Sequence, residues 1–142
     1  MKSFVSNQWG RVVILNLSKG EKLLESITAE VQRLKIKDAV VMSGIGAMRK
    51  VGYHAITTTE DIATNKYMTV EGPIELGSIQ GLIIDGEPHL HISSADLKYS
   101  YIGHLENDTE VQYLAEITIA EILGLNITRR PDKFNIRMVE EK

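Results

Sequence analysis

The sequence predicts an α+β fold, a largely antiparallel sheet carrying one main helix near the N-terminus. Three observations predict it. One segment spaces its apolar residues as a helix does. Many short segments alternate as strands do and are joined by turn signals. A helix between every pair of strands, as a doubly wound fold would require, is absent. With 142 residues the chain is expected to form a single domain, 1–142, able to bury a core without cross-links.

Val12–Leu17 (VVILNL) reads as a buried strand. In Ser18-Lys19-Gly20-Glu21, a serine precedes a glutamate by three residues, the spacing of a capping box at a helix start. Leu23, Leu24, Ile27, Val31 and Leu34 then fall on one helical face, so a helix is expected over about Lys19–Leu34 with its polar face in solvent. Ala39–Met42 is a short apolar strand, broken by Ser43-Gly44-Ile45-Gly46-Ala47, whose two glycines suggest a tight backbone path beside another chain or a ligand. The third glycine of a dinucleotide fingerprint is absent, and no helical pattern follows. Lys50–Thr58 alternates as a strand.

Pro73–Ile84 mixes β-branched residues with Gly77 and Gly81, giving one strand bulged at a glycine or two short ones. Asp85-Gly86 is a turn, Pro88–Ser93 a strand, Ala95-Asp96 a turn, Lys98–Leu105 a strand and Asn107-Asp108 a turn. Glu110–Leu123 fits either state: Leu114, Ile117, Ala120 and Glu121 suit a helix, but Thr118, the isoleucines and the alternation favour a strand. Pro131 stops whatever precedes it, Phe134–Val139 is a last short strand, and Glu140-Glu141-Lys142 is expected to fray.

Composition narrows the function. Apolar residues make up 43% and charged residues 25%, which excludes disordered and collagen-like chains. The formal charge is −3, unfavourable for a free-standing nucleic-acid binder. There is no cysteine, so disulfides, thiolate metal sites and cysteine nucleophiles are excluded and a transition metal must use histidine and carboxylate. Absence of cysteine, of a signal-peptide pattern and of a spanning apolar run gives a cytoplasmic expectation without membrane attachment.

Three of the four histidines fall in PHLHISSADLKYSYIGHL: His89, His91 and His104. His89 and His91 share one face of a strand, with Leu90 and Ile92 on the other. A hairpin turning at Asp96-Leu97 would set His89 opposite His104 and His91 opposite Ile102, placing three imidazoles on one face and Leu90, Ile92, Tyr99, Tyr101 and Leu105 on the other. Three histidines with an open position are the donor set of a catalytic zinc centre, or of another divalent transition metal, that polarises a carbonyl or activates water. Three polar side chains on a wet sheet face are the plain alternative. Glu116 and Glu121 are candidate proton shuttles or a fourth ligand. Gly44 and Gly46 are candidate pocket-lining residues, and Arg49 is a candidate carboxylate clamp. His54 reads as a strand residue, with a supporting role or a substrate contact as the alternative.

Pro88-His89-Leu90-His91, Gly103-His104-Leu105 and Ala115-Glu116-Ile117, with the early Ser43-Gly44-Ile45-Gly46-Ala47, resemble the PPC (plants-and-prokaryotes conserved) domain over about Val5–Val139. The resemblance implies an α+β fold, a homotrimer and, as in some members, a metal on His89, His91 and His104. The fold is also similar to that of acetolactate decarboxylase, a zinc enzyme, which supports a metal site but not the same reaction. Ile102-Gly103 and Asp96-Leu97 depart from the family's usual residues at those points. Plant relatives carry an Arg-Gly-Arg minor-groove motif, which is absent here; Arg129-Arg130 is the only pair of adjacent arginines. The expected function is therefore a small metal-binding protein, acting on a small carbonyl or carboxylate compound if it is an enzyme. The alternatives are a DNA-associated or protein-interaction regulatory domain, or a structural trimer with vestigial histidines.

Overall fold

In the computed structural model, which describes Met1–Lys142, the chain runs through β1 (Gln8–Ser18), α1 (Leu23–Leu34), β2 (Asp38–Ile56), β3 (Asn65–Ile84), β4 (Glu87–Ala95), β5 (Ser100–Leu105), β6 (Glu110–Leu123), β7 (Ile127–Pro131) and β8 (Arg137–Glu141). Strands hold 63% of the residues and the helix 8%, so the molecule is more β-rich than the expected α+β balance, although the antiparallel sheet and the single early helix are present. Six strands form one sheet in the order β1-β6-β2-β3-β4-β5, and a further pairing of β5 with β2 closes β2, β3, β4 and β5 into a ring. The short β7–β8 hairpin stands apart as a second sheet.

Closure depends on the length of β2. Its Asp38–Lys50 segment borders β6, while Tyr53 and His54 reach past the end of β6 to pair with Leu105 and His104 of β5. The expected break at Ser43–Ala47 does not occur. The register slips by small bulges there and the strand continues. The glycines are needed because neighbours press on them: a Cβ on Gly44 would lie 1.6 Å from Ile79 Cγ2, and one on Gly46 2.7 Å from the Leu114 carbonyl. β3 begins eight residues before the expected Pro73 and bulges between Leu76 and Ser78, at the anticipated glycine.

The helix starts later than expected. Glu21 accepts the Ser18 N–H at 2.6 Å, half of the anticipated capping box, but the Glu21 N–H returns to the Ser18 carbonyl and closes a turn instead. Gly20 sits at φ +89°, outside the helical region, so α1 begins only at Leu23. Its Leu23, Ile27 and Val31 are fully buried with Ile79, Ile83, Leu90, Ile92, Leu105, Ile117 and Ile119 of the sheet. Each such side chain contributes about 1.5–3 kcal/mol of burial. Glu110–Leu123 is a strand at the expected bounds. Asp85 and Gly86, both at positive φ, make the two-residue turn into β4. The tail does not fray: Glu140 and Glu141 pair within the β7–β8 hairpin, whose first strand the sequence reading missed, and Lys142 Nζ holds Asp85 at 2.6 Å.

Candidate metal centre

The hairpin carrying the histidines has a register shifted by two residues from the expected one. His91, not His89, stands opposite His104, and Ser93, not His91, faces Ile102. The cause is Asp96. Its Oδ1 accepts the N–H groups of Lys98 and Tyr99 at 2.6 and 2.7 Å, and its own N–H reaches the Tyr99 carbonyl, centring the turn on Leu97-Lys98. A shift of two preserves the faces. Leu90, Ile92 and Leu105 remain buried and the imidazoles share the other side, while Tyr99, expected on the core face, is exposed.

The ring closure then adds a histidine that the sequence reading had not placed in the set. His54 stands opposite His104 on the other edge of β5, so β4, β5 and β2 contribute His91, His104 and His54 in one row across three strands. This row is possible because β5 approaches β2 closely at Gly103, where a Cβ would lie 2.4 Å from the His54 carbonyl oxygen; Gly103 does not bulge. Ring centres are separated by 4.9 Å for His89–His104, 5.5 Å for His91–His104, 5.6 Å for His89–His91 and 4.5 Å for His54–His104. All four histidines of the chain thus form one cluster around His104.

An imidazole nitrogen lies about 1.1 Å from its ring centre and Zn–N bonds are about 2.0–2.1 Å, so two rings on one tetrahedral ion have centres about 5 Å apart. The spacings among His89, His91 and His104 fall near that value. Their nitrogens, however, do not converge. The donor atoms that all lie within 4.8 Å of one another belong to His54, His104 and Glu106. Glu106 follows β5 directly and shares the face of His104 by strand alternation, a signal present in His104-Leu105-Glu106 that the sequence reading did not use. Its Oε1 bonds His54 Nδ1 at 2.5 Å and lies 3.3 Å from His104 Nδ1. That second approach is off-axis, and His104 Nδ1 is buried with no hydrogen-bond partner. A buried nitrogen left unpaired is costly, and a metal or a proton shared with Glu106 would satisfy it. The donor chemistry therefore fits a divalent transition metal.

Partial loss of hydration, on a ring whose outer side still meets solvent, pushes the His89 pKa down to about 4, with the nearby His104, Arg129 and His91 charges acting in the same direction. Burial, and then the His54 charge, lower that of His104. Both rings stay neutral near neutral pH, the form that binds metal.

The other expected site residues lie elsewhere. Glu121 is buried against Arg11, which donates from Nε and Nη2 at 2.8 and 2.9 Å, and this bonding holds its carboxyl below the usual carboxylate range. Glu116 is exposed, between Asn16 and Ile45. Arg49 lies 3.5 Å from Glu110 and lines a cavity of about 990 Å³ that contains no histidine. Gly44 lines a shallow groove of about 610 Å³ between β2 and β3, and Gly46 lines neither space. His89 and His91 open instead onto a cavity of about 330 Å³ shared with the β7–β8 hairpin.

A mostly antiparallel sheet bent into a ring, one amphipathic helix packed on it by its apolar stripe and a histidine cluster on the face opposite the core define a small histidine-rich β domain. Residues 5–123 match the Plants and Prokaryotes Conserved (PCC) domain, and the chain belongs to that family, the one its PHLH and GHL segments resemble. A plant- and prokaryote-conserved protein of Pyrococcus horikoshii is 31% identical with a TM-score of 0.80, covering 100% of this chain and 99% of that one. A metal-containing protein of Archaeoglobus fulgidus is 25% identical with a TM-score of 0.79, covering 95% of both chains. A protein of Bacteroides thetaiotaomicron whose description proposes DNA binding has a TM-score of 0.78 at 15% identity, covering 94% of this chain and 96% of that one; this likeness speaks to the fold alone. Among curated proteins, the bifunctional protein GlmU of Synechococcus sp. (strain JA-3-3Ab) is 26% identical over 123 residues, 86% of this chain, which spans only 19% of that protein's length. No helix is long and apolar enough to cross a membrane.

Proposed function

We propose that the protein binds one divalent transition metal, zinc by preference, at the histidine cluster, and uses it on a small carbonyl or carboxylate compound. The observation that carries this reading is the gathering of the His89, His91 and His104 rings, with centres 4.9, 5.5 and 5.6 Å apart, near the spacing of rings that share one ion. His89, His91 and His104 would hold the ion. Rotation of the two exposed rings about their side-chain torsions would turn their nitrogens toward the remaining nitrogen of His104. Glu106 would accept the Nδ1–H of His104 and fix its tautomer, as carboxylates behind metal-bound histidines do, and His54 would hold Glu106 from behind. The metal-containing Archaeoglobus fulgidus relative supports the same reading. Such an ion polarises a carbonyl or lowers the pKa of bound water. With Glu121 committed to Arg11, Glu106 takes the place of the expected proton shuttle.

Self-association as a homotrimer belongs to the same proposal. β1 is an edge strand, and Trp9, Val12 and Ile14 on it are 66%, 65% and 73% exposed, an apolar edge of the kind that a second copy covers. Sedimentation equilibrium at micromolar concentration should return three chains; a monomer would remove this part. A cytoplasmic setting is proposed with it.

Metal analysis of untagged protein tests the centre. About one zinc per chain is expected after dialysis, falling below about 0.2 in His91→Ala with the fold intact. Stoichiometric uptake by His91→Ala, together with its loss in His54→Ala, would move the centre to His54, His104 and Glu106. Uptake by neither the native chain nor its variants would remove it. DNA retention on filters that falls steeply with salt would favour the regulatory alternative instead.

A further inference from the structure

We infer that the β7–β8 hairpin gives the histidine face an oxyanion-binding arm, with Arg129 as the residue that grips a carboxylate or phosphate group of the ligand. Every other arginine in the chain has a carboxylate within ion-pair distance: Arg11 with Glu121, Arg33 with Glu30, Arg49 with Glu110, Arg130 with Glu140 and Arg137 with Glu87. Arg129 has none, although it is half-buried. Its one polar contact is a long bond from Nη1 to the Glu87 carbonyl, 3.3 Å. A guanidinium offers five N–H donors in a planar fork shaped for a carboxylate or phosphate. Leaving most of them unsatisfied while the group loses water is costly unless a ligand completes the set.

The surroundings point the same way. Arg129 lines the cavity of about 330 Å³ with His89, His91, Arg137, Met138 and Val139, and no acidic residue lines it. Burial lowers the Arg129 pKa from its usual value, but an arginine remains charged at any physiological pH. The Glu87 charge favours that of Arg129 from beyond ion-pair distance, but its carboxylate oxygens are forked by Arg137 and leave the Arg129 donors unpaired. The hairpin is also anchored: Thr128 bonds Asp85 at 3.1 Å and Lys142 bonds Asp85 at 2.6 Å, holding β7 and β8 to the turn that starts β4. The arm lies beyond the residues matched by the family, which end at 123. The inference names the ligand class of the histidine face and rests on that face binding a ligand, but not on which ion sits there.

Malonate and inorganic phosphate, titrated separately into the metal-free full-length protein and followed calorimetrically, test it. The native chain should saturate with at least one of them below about 10 mM. Arg129→Gln should weaken that binding about tenfold or more, and Arg129→Lys less, because lysine keeps the charge but not the fork. Tighter malonate binding identifies a carboxylate ligand, and tighter phosphate binding a phosphate ester. Zinc uptake measured on the same variants should match the native chain, so failure of the metal reading and failure of this one are separable. Equal affinity in Arg129→Gln, or no saturation of the native chain by either anion, overturns the inference. Should Arg129→Gln not fold, the Nε–H resonance of Arg129 in the native chain decides: a shift on saturation supports the arm, and an unmoved resonance refutes it.

Discussion

Glu121 and Glu106 are both sheltered carboxylates beside cationic or titratable partners, yet the fold treats them oppositely. Around Glu121, Arg11 supplies its Nε, its Nη2 and its backbone N–H, so both oxygens are bonded and the charge is matched. Around Glu106 the partners are two imidazoles, one bonded through Nδ1 and one close but unbonded. One arrangement is closed; the other has spare acceptor capacity next to a nitrogen that lacks a partner. Availability for chemistry thus follows from how many donors each oxygen already has, and not from burial or residue type.

The largest expected effect comes from breaking the histidine end itself. In Gly103→Ala the new Cβ would press on the His54 carbonyl, a backbone atom that cannot rotate away. Overpacking of this kind costs about 1–3 kcal/mol and should separate β5 from β2. Thermal melts should fall accordingly, and zinc uptake should drop, while the Arg11–Glu121 end keeps its bonds. Gly77→Ala is the matched control, because its Cβ would meet only the Ser93 carbonyl at 3.6 Å, an ordinary contact. Equal melts for the two variants would mean that ring closure does not hold the cluster.

Next comes the pair of amide substitutions. Glu121→Gln removes the charge that Arg11 neutralises in a buried setting, and a Tm fall of roughly 2–4 °C is expected with zinc uptake unchanged. Glu106→Gln should leave Tm nearly unchanged and weaken zinc binding by about 10–100-fold, the usual loss when the carboxylate behind a metal-bound histidine is removed. A swap of these outcomes would reverse the roles assigned to the two carboxylates.

The pH response should separate the two ends in the metal-free protein. The His89 pKa is depressed to about 4 when folded, against about 6.5 for a free imidazole, so the unfolded chain takes up the proton first. The histidine end therefore contributes stability that is intact above about pH 6.5 and is lost as pH falls toward 4. Glu121 is also depressed, mainly by the Arg11 bond, so its contribution is intact above the ordinary carboxylate value of about 4.3 and is lost only below it. Denaturation midpoints measured between pH 7 and 3 should decline in two stages, the first reduced in His89→Gln, where the buried His104 supplies what is left of it. A single stage beginning near pH 4 would show that the histidine cluster is not desolvated.

Much of this was legible from residue order. Face assignment in β4 and β5 survives a two-residue register error because alternation has period two, so His89, His91 and His104 reached one side even though the turn was misplaced. The Asp85-Gly86 turn and the strand character of β6 were readable from turn chemistry and β-branched residues. What sequence could not supply was closure. Nothing local in Gly52-Tyr53-His54 indicates that β2 outruns β6 and meets β5, and only that meeting brings His54 to His104 and leaves Glu106 between them. The glycine segment misled for a related reason: two glycines look like a break, but here they let Ile79 and Ala115 press against a continuous strand. Arg129 was visible only as half of a basic pair; its isolation from carboxylates is a property of the hairpin packing.

The smallest effect sharpens the contrast from the opposite side. Glu116 sits on the same strand as Glu121, in the Ala115-Glu116-Ile117 segment, but its side chain points away from the buried Ala115 and Ile117 into solvent. It has no hydrogen-bond or ion-pair partner among the side-chain bonds of the fold, and it belongs to neither the Arg11 pair nor the histidine cluster. An exposed carboxylate without partners shifts stability by no more than about 0.5 kcal/mol when replaced. Glu116→Gln should therefore melt with the native chain and take up zinc at the native stoichiometry. A drop in zinc affinity would place Glu116 at the metal, which requires a second chain to bring it there, since within one chain Asn16 and Ile45 are its strand neighbours. Repeating the measurement at concentrations above and below the self-association midpoint decides between these outcomes, because only an intersubunit role for Glu116 would make the loss depend on concentration.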